Sequence, residues 1–236
     1  MAEEAERIKE LWLWDDEIPR DGPEQMACDE ALLETGNAPI LRIFRWKGPW
    51  VSAGYFADKD HAVRTHPEMP FCRRWTGGGI VVHDGDFTYS LVVPKGETLA
   101  ALKPRRSYQV IHSALGRALR ARCIGTDLAE KSAPAAECFA GAVEHDLVNH
   151  GKKIAGGAQR RTRHGLLHQG SVQCQPLLDR SFGITLAGEL ALAVARWRPP
   201  ADFEKKVRNL LAGKYASPRF LQGPGAAEDF TAPARS

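Results

Sequence analysis

The chain has 236 residues, of which 43% are hydrophobic and 26% charged, and its net charge is +3. These values are typical of a globular chain with a full core. No apolar run approaches the ~20 residues that a membrane-spanning helix needs. The acidic N-terminus lacks the apolar segment of a signal peptide. The sequence therefore predicts a cytoplasmic protein that binds no membrane. It also predicts no nucleic-acid binding, because nucleic-acid binders are usually more basic.

Helical and strand-like periodicities alternate along the chain. Spacing of apolar residues, together with Pro and Gly at the ends, predicts helices at 23–36, 107–123, 186–197 and 201–213. Alternation and β-branched residues predict strands, the first of them at a sheet edge, at 11–18, 39–47, 50–56, 87–94 and 165–173. A hairpin over 145–161 should turn at Asn149–Gly151.

This mixture of helices and hairpins predicts a single α/β (α+β) domain with a mixed, largely antiparallel sheet. We place the domain at residues 1–215. The segment 216–236 is rich in Pro, Gly and Ala, and we expect it to be a mobile C-terminal tail.

Three consecutive glycines follow two arginines in the segment RRWTGGG, called the glycine loop below. Ordering a glycine costs more conformational entropy than ordering any other residue. A tight turn, a close backbone approach to a ligand or a flexible loop could each explain the triplet. Backbone N–H groups beside guanidinium groups also form a cradle for a carboxylate, a phosphate or a thioester carbonyl. The members of the loop are Arg73, Arg74, Trp75, Thr76, Gly77, Gly78 and Gly79.

Two further segments carry residues that could do chemistry. In GKKIAGGAQRR, Lys152 and Lys153 enter a strand, and a lysine directed into a site can neutralise charge on an acyl oxygen or a phosphate. A solvated basic turn is the plain alternative. Cys138 lies among small residues, and it is either a nucleophile or a small buried side chain.

The other cysteines give no pattern of a metal or redox site. The chain has five cysteines, and no two have the Cys-x-x-Cys spacing. We therefore expect no metal ion and, in the cytoplasm, reduced thiols.

Taken together, these segments resemble the family of lipoate–protein ligases and octanoyltransferases, which is related to biotin protein ligases. The resemblance covers roughly residues 20–190, with its motifs in the expected order. They are ACDEALL, LRIFRWKGPWVSAGYF, RRWTGGGIVVHDGDFTYS, GKKIAGGAQRR and LLHQGS.

The resemblance implies a mixed sheet flanked by helices and transfer of a lipoyl or octanoyl group to a lysine of a lipoyl carrier domain. Lys153 matches the lysine of the family's active site, and Cys138–Phe139 resembles the Cys-Phe motif that carries the nucleophile in Cys-dependent octanoyltransferases. The residues implied to bind the acyl group or substrate are Arg73, Arg74, Thr76, Gly77, Gly78, Gly79, His83, Gly156, Gly157 and Ala158. Residues 80–82 and 91–93 are candidate apolar walls for an acyl chain.

Two chemistries remain open within this family. Ligases activate lipoate with ATP and magnesium, whereas transferases take octanoate from an acyl carrier protein through a cysteine thioester. The Cys-Phe motif favours a transferase, but Gly79 is typical of ligases. The family's histidine before the glycine of LLHQGS is Gln169 here, with His168 one position earlier. A module that binds the carrier without catalysis is a third alternative.

Overall fold

The structure is a computed structural model, and it describes residues 6–130, 141–174 and 178–224. Its strands form two sheets. In chain order they are β1 (Ile8–Asp15), β2 (Ile40–Phe44), β3 (Trp50–Ala53), β4 (Phe71–Arg73), β5 (Ile80–His83), β6 (Phe87–Pro94), β7 (Asp127–Leu128), β8 (Leu147–Asn149), β9 (Lys152–Thr162), β10 (Gly165–Val172) and β11 (Ala191–Arg196).

The described part of the chain contains seven α-helices, most of which pack against the larger sheet. They are α1 (Gly22–Thr35), α2 (Lys59–Thr65), α3 (Thr98–Ala101), α4 (Pro104–Arg120), α5 (Arg180–Leu190), α6 (Phe203–Leu210) and α7 (Pro218–Gln222). One π-helical turn, Leu211–Tyr215, continues from the end of α6.

The larger sheet has the strand order β11-β1-β2-β6-β10-β9-β8-β7. The pairs β1–β11 and β1–β2 are parallel, and the other neighbours are antiparallel. Helices α4 and α5 pack against one face, and α1 and α6 pack against the other. This confirms the predicted α/β domain with a mixed, largely antiparallel sheet flanked by helices.

Strand alternation assigns each side chain of the sheet to one of these two faces. On β6, Leu91 and Val93 pack in the core under α4 and α5, whereas Val92 packs in the core under α1. On β10, Leu166 and Leu167 divide in the same way. The face under α1 is the one that carries the pocket described below.

Two sequence predictions about elements were wrong. The predicted helix 186–197 is the end of α5 followed by strand β11, because Ala191–Arg196 pair in parallel with β1. Alanine and leucine favour a helix, but tertiary pairing outweighs that weak preference. Strand β1 is consequently interior rather than at the edge predicted for residues 11–18.

The segment expected to be a mobile tail begins with ordered structure. Helix α7 lies within it, and its Leu221 and Gln222 carbonyls accept hydrogen bonds from the Arg73 guanidinium, each at 3.0 Å. The domain boundary at residue 215 stays a prediction. The hydrogen bonds nevertheless attach residues 218–222 to strand β4, which ends at Arg73 and belongs to the smaller, three-stranded sheet.

The small sheet positions the glycine loop. Strand β3 lies at its centre, parallel to β4 and antiparallel to β5. The loop connects β4 to β5. Because β4 and β5 flank the same strand, the loop must cross over the end of β3.

Candidate active site

The glycine loop packs directly on the backbone at the end of β3. The Gly54 N–H donates to the Gly79 carbonyl at 3.1 Å, and the Tyr55 N–H donates to the Thr76 carbonyl at 2.8 Å. A Cβ on Gly54 would lie only 2.1 Å from the carbonyl oxygen of Gly78. Gly78 itself has φ +86°, in the left-handed region. Bare backbone is therefore needed here for contact between two protein segments.

Arg74 stabilises the glycine loop from inside. Its guanidinium donates to the carbonyl oxygens of Gly79 at 2.9 Å, Gly77 at 3.3 Å and Ser52 at 2.9 Å. The side chain is buried and also lines the pocket described next. Arg74 thus sets the shape of the loop that borders the pocket.

Arg73, unlike Arg74, does not line the pocket that is described in the next paragraph. Its guanidinium donates to the carbonyls of Gly54, Tyr55 and Ala57 at 2.8 to 3.1 Å, in addition to the two carbonyls of α7. In this geometry Arg73 connects the loop after β3 to helix α7.

A pocket lies between the larger sheet and the small sheet. Apolar and aromatic side chains form one part of its wall, and glycine-rich backbone with a lysine forms another. The lining residues are Met26, Phe44, Trp46, Arg74, Val81, His83, Thr88, Lys153, Gly156, Gly157, Ala158, Gln169, Gly170 and Ser171.

The pocket brings together six of the residues predicted to be catalytic or to bind the acyl group. They are Arg74, His83, Lys153, Gly156, Gly157 and Ala158. Gly78 and Gly79 line a separate surface depression with Phe56 and His61. Of the candidate apolar walls, Val81 lines the pocket, whereas residues 91–93 do not.

Lys153 forms a buried ion pair at the pocket wall. Its Nζ lies 2.7 Å from Oδ2 of Asp146, whose side chain is fully buried. The same Asp146 oxygen accepts a hydrogen bond from the Val143 N–H at 2.7 Å. A Cβ on Gly156 would lie 2.8 Å from the Lys153 Nζ, so the missing side chain of Gly156 leaves room for the lysine.

Tyr108 of α4 completes this arrangement from the other side. Its hydroxyl donates to Oδ1 of Asp146 and accepts a hydrogen bond from the Gly157 N–H at 2.9 Å. Burial and the neighbouring Asp146 carboxylate raise the pKa of Tyr108 well above its usual range, so the hydroxyl remains a donor. Sequence reasoning missed both residues, because Tyr108 is distant in sequence from Gly157 and no motif marks Asp146 as a partner of Lys153.

We expect Tyr108→Phe to lower the free energy of unfolding by about 1–3 kcal/mol. The substitution leaves one oxygen of Asp146 and the Gly157 N–H without their partner inside the protein. Urea unfolding of both forms measures the difference. The matched control is Tyr89→Phe, since among the described residues the hydrogen bond of the Tyr89 hydroxyl goes to the ring nitrogen of His168, at 3.2 Å. Equal losses in the two variants would contradict the role assigned to Tyr108.

His83 lines the pocket, and both of its ring nitrogens are hydrogen-bonded. Nε2 lies 2.7 Å from the Ser52 Oγ, Nδ1 lies 2.9 Å from Asp86 Oδ2, and the ring stacks on Trp46 at 4.0 Å. Burial acts to raise the pKa of Asp86, but His83 and the hydroxyl of Ser171 hold it below its usual value. The His83 ring therefore lines the pocket in a fixed orientation, with both of its nitrogens hydrogen-bonded to other residues of the protein.

Gln169 and His168 occupy opposite faces of β10. Gln169 lines the pocket, accepts a hydrogen bond from Thr76 Oγ1 at 2.7 Å and donates to Asp29 Oδ2 at 2.7 Å. His168 lies on the α4 side beneath Tyr89, and burial lowers its pKa well below its usual range. His168 consequently presents no group to the pocket, and Thr76 supports the pocket indirectly, through Gln169.

A buried polar network continues below Gln169. Asp29 accepts from the fully buried Arg42 at 2.9 Å and from Ser90 Oγ at 2.7 Å. Arg42 also donates to Asp16 at 2.7 Å. Buried charges are tolerated when they are paired and hydrogen-bonded in this way. The network fixes α1 against β2 and β6 at the floor of the pocket.

Cys138, the candidate nucleophile, lies outside the described residues. Among the other cysteines, burial raises the pKa of both Cys28 and Cys72 to about 12. Burial also raises the pKa of Cys174, whereas Cys123 is exposed at the end of α4. The thiols of Cys28 and Cys72 are therefore protonated at neutral pH and inaccessible.

Across the part of the chain that the structure describes, no helix combines the length and apolar character needed to cross a membrane. No cluster of three or more His, Cys, Asp or Glu side chains suited to a metal ion occurs within the same residues.

Solved structures show which class of protein has this fold. A lipoate-protein ligase A bound with ATP superimposes with a TM-score of 0.73, at 21% identity, over 91% of this chain and 99% of that protein. The bi-partite lipoate protein ligase of an archaeal lipoylation system from Thermoplasma acidophilum gives 0.64 at 20% identity, over 91% and 97%. The fold is thus that of lipoate-protein ligases.

The chain belongs to the family of lipoyl protein ligase A/B catalytic domains, whose family model matches residues 21–212. An octanoyltransferase LipM of Oceanobacillus iheyensis is 34% identical over 75% of this chain and 69% of its own length. The octanoyltransferase LipM of Kyrpidia tusciae is 33% identical over 86% of this chain and 77% of its own length. The family resemblance inferred from the sequence motifs is confirmed.

Proposed function

We propose that this protein transfers an octanoyl group to the side-chain amine of a lysine in a lipoyl carrier domain. The observation that carries the proposal is the 30–34% identity to proteins named octanoyltransferase LipM over most of the chain. The pocket supports it, because an apolar wall suited to an alkyl chain adjoins the buried ammonium of Lys153.

The proposed reaction has two steps with Cys138 as nucleophile. The thiolate attacks the carbonyl carbon of an octanoyl thioester on an acyl carrier protein, and the donor sulfur leaves as a thiolate. The neutral amine of the carrier lysine then attacks the Cys138 thioester. An amide bond forms, the carbon–sulfur bond breaks, and the proton lost by the amine goes to the departing Cys138 thiolate, which regenerates the free thiol.

Lys153 has the same role in both steps. Attack on a thioester carbonyl places negative charge on its oxygen, and a fixed ammonium in a buried site stabilises that charge. The ion pair with Asp146 holds the ammonium in one orientation. The Asp146 carboxylate is itself held by the hydrogen bond that it accepts from the Tyr108 hydroxyl. Preorganisation of this kind avoids reorganisation at the moment of reaction.

The remaining predicted residues are proposed to shape the site rather than to react. Arg74 and the glycine loop border the pocket, and the missing side chain of Gly156 leaves room for the Lys153 ammonium at the pocket wall. Met26 and Trp46, which the sequence motifs did not single out, contribute apolar surface for the alkyl chain.

A lipoate–protein ligase that uses ATP and magnesium is the second candidate. Its support is the glycine triplet ending in Gly79 and the likeness in fold to a ligase bound with ATP. In that reaction the donor is an acyl-adenylate, and no covalent acyl-enzyme forms.

We expect the full chain, incubated with octanoyl–acyl carrier protein, to gain the mass of one octanoyl group, because the thioester route stores the acyl group on the enzyme. Intact-mass spectrometry measures the adduct, and peptide mapping assigns it to Cys138. A parallel sample receives lipoate, ATP and magnesium. Lipoylation of the carrier that needs ATP, without any adduct from the thioester donor, would favour the ligase.

A further inference from the structure

Two cations and two aromatic rings, called the cationic cluster below, lie next to the pocket. The guanidinium carbon of Arg160 is 4.9 Å from the ring centroid of Trp75 and 5.5 Å from that of Tyr55. The Nζ of Lys214 lies 3.7 Å from the same Trp75 centroid. A guanidinium and an ammonium thus share one indole ring, which is a preformed and partly desolvated cationic surface.

The charges of the cationic cluster are incompletely balanced. Glu30 accepts from Lys214 at 2.6 Å, which compensates one positive charge. Within residues 6–130, 141–174 and 178–224, no carboxylate lies within ion-pair distance of Arg160. Burial, reinforced by the charge of Arg160, lowers the pKa of Lys214 from its usual value. An anion at Arg160 would relieve this repulsion.

The cationic cluster is connected to the pocket through two elements. Trp75 lies in the glycine loop between Arg74, which lines the pocket, and Thr76, which binds the pocket residue Gln169. On β9, Arg160 follows the pocket residue Ala158 by two positions, so both side chains leave the same face of the strand.

The distance along β9 limits what an anion at Arg160 can be. Gly156, beside the Lys153 ammonium, lies four residues away, which is about 14 Å in a strand. In an acyl-adenylate the phosphate is bonded directly to the acyl carbonyl. Its phosphate would therefore lie beside Lys153 and not at Arg160.

We propose that Arg160 binds the phosphate of a phosphopantetheine arm that delivers the octanoyl thioester to the pocket. This inference rests on the proposed octanoyl transfer and specifies how its donor is recognised. In a phosphopantetheine thioester, two amide groups and a branched alcohol separate the acyl carbonyl from the phosphate. The arm is thus long enough to join the two positions, and a guanidinium on aromatic rings is well suited to phosphate.

Two donors that differ only in the phosphate test this assignment. For the wild-type chain, KM for octanoyl-phosphopantetheine should be lower than for octanoyl-pantetheine by about 10-fold or more, as expected for one charged hydrogen bond. Arg160→Gln should remove that preference and leave KM for octanoyl-pantetheine unchanged. The matched control is Arg163→Gln, at the turn of the same hairpin, which should retain the preference.

A binding measurement separates this inference from the proposed function. Quenching of tryptophan fluorescence, with Trp75 beside Arg160, reports binding of phosphopantetheine and pantetheine without any reaction. Phosphate-dependent binding that Arg160→Gln abolishes supports the inference, even if no octanoyl transfer occurs and the proposed function fails. Equal affinity of the wild type for the two compounds overturns it, even if transfer proceeds.

The same variant distinguishes two sources of the arm. Octanoyl–acyl carrier protein and octanoyl–coenzyme A carry the same phosphopantetheine group. A rise in KM with both donors on Arg160→Gln assigns the effect to the shared phosphate. An equal rise with octanoyl-pantetheine, which has no phosphate, would instead show that Arg160 only maintains the fold, and it would overturn the inference.

Discussion

Replacing Lys153 by methionine should lower the rate of octanoyl transfer by about 100-fold or more. Loss of one preorganised donor to a developing oxyanion costs about 2.7–4 kcal/mol of transition-state stabilisation. Methionine retains the length and apolar stem of the side chain but has no charge. Single-turnover transfer from octanoyl–acyl carrier protein to a lipoyl carrier domain measures the effect on chemistry.

The same substitution should also affect stability, for a separate reason. The Nζ of Lys153 lies 2.7 Å from Asp146, which is fully buried. Removing one partner of a buried pair leaves an uncompensated charge, which typically costs about 3–5 kcal/mol. The double variant Lys153→Met with Asp146→Asn removes both charges. It should recover much of the lost free energy of unfolding but none of the activity.

This double variant makes the prediction testable even if the single variant unfolds. Lys152→Met is the matched control, because the Lys152 side chain is exposed and does not line the pocket. Near-normal transfer by a folded double variant would exclude Lys153 from the reaction. A comparable loss in Lys152→Met would show that the assay responds to surface charge.

The motifs identified the residues of the pocket that lie close together in sequence. Lys153, Gly156 and Gly157 were predicted because they share one short segment of a single strand. Their supporting groups could not be predicted in this way. Tyr108 reaches Gly157 from α4, and this contact depends on how the helix packs on the sheet, which no local pattern encodes.

The errors about elements have the same physical origin. Residues 191–196 contain alanine and leucine and favour a helix, but their pairing with β1 decides their structure. Arg73 and Arg74 are adjacent and look equivalent in sequence. Strand alternation directs Arg74 toward the pocket wall and Arg73 toward the carbonyls of α7. Strand register and packing partners therefore determine the structure of residues 191–196 and the directions of the two arginines, which propensity and spacing alone do not predict.

Cys138→Ser should abolish the octanoyl adduct and lower octanoyl transfer by at least about 10³-fold, since loss of an enzyme nucleophile removes most of the catalysis. At neutral pH a free cysteine is already a few per cent thiolate and strongly nucleophilic, whereas an unassisted serine hydroxyl remains protonated. Intact-mass spectrometry and carrier acylation measure the two effects on the same preparation.

The other thiols supply the controls for this prediction. Cys123 is exposed and Cys174 is half-buried beside a surface groove, so each could take up an acyl group nonspecifically from a reactive thioester. Cys123→Ser and Cys174→Ser should retain both the adduct and the activity. Cys28 and Cys72 need no variant, because burial raises the pKa of each to about 12. If Cys138→Ser instead kept full activity and that activity required ATP, the chemistry would be ligation, with Lys153 acting on an acyl-adenylate.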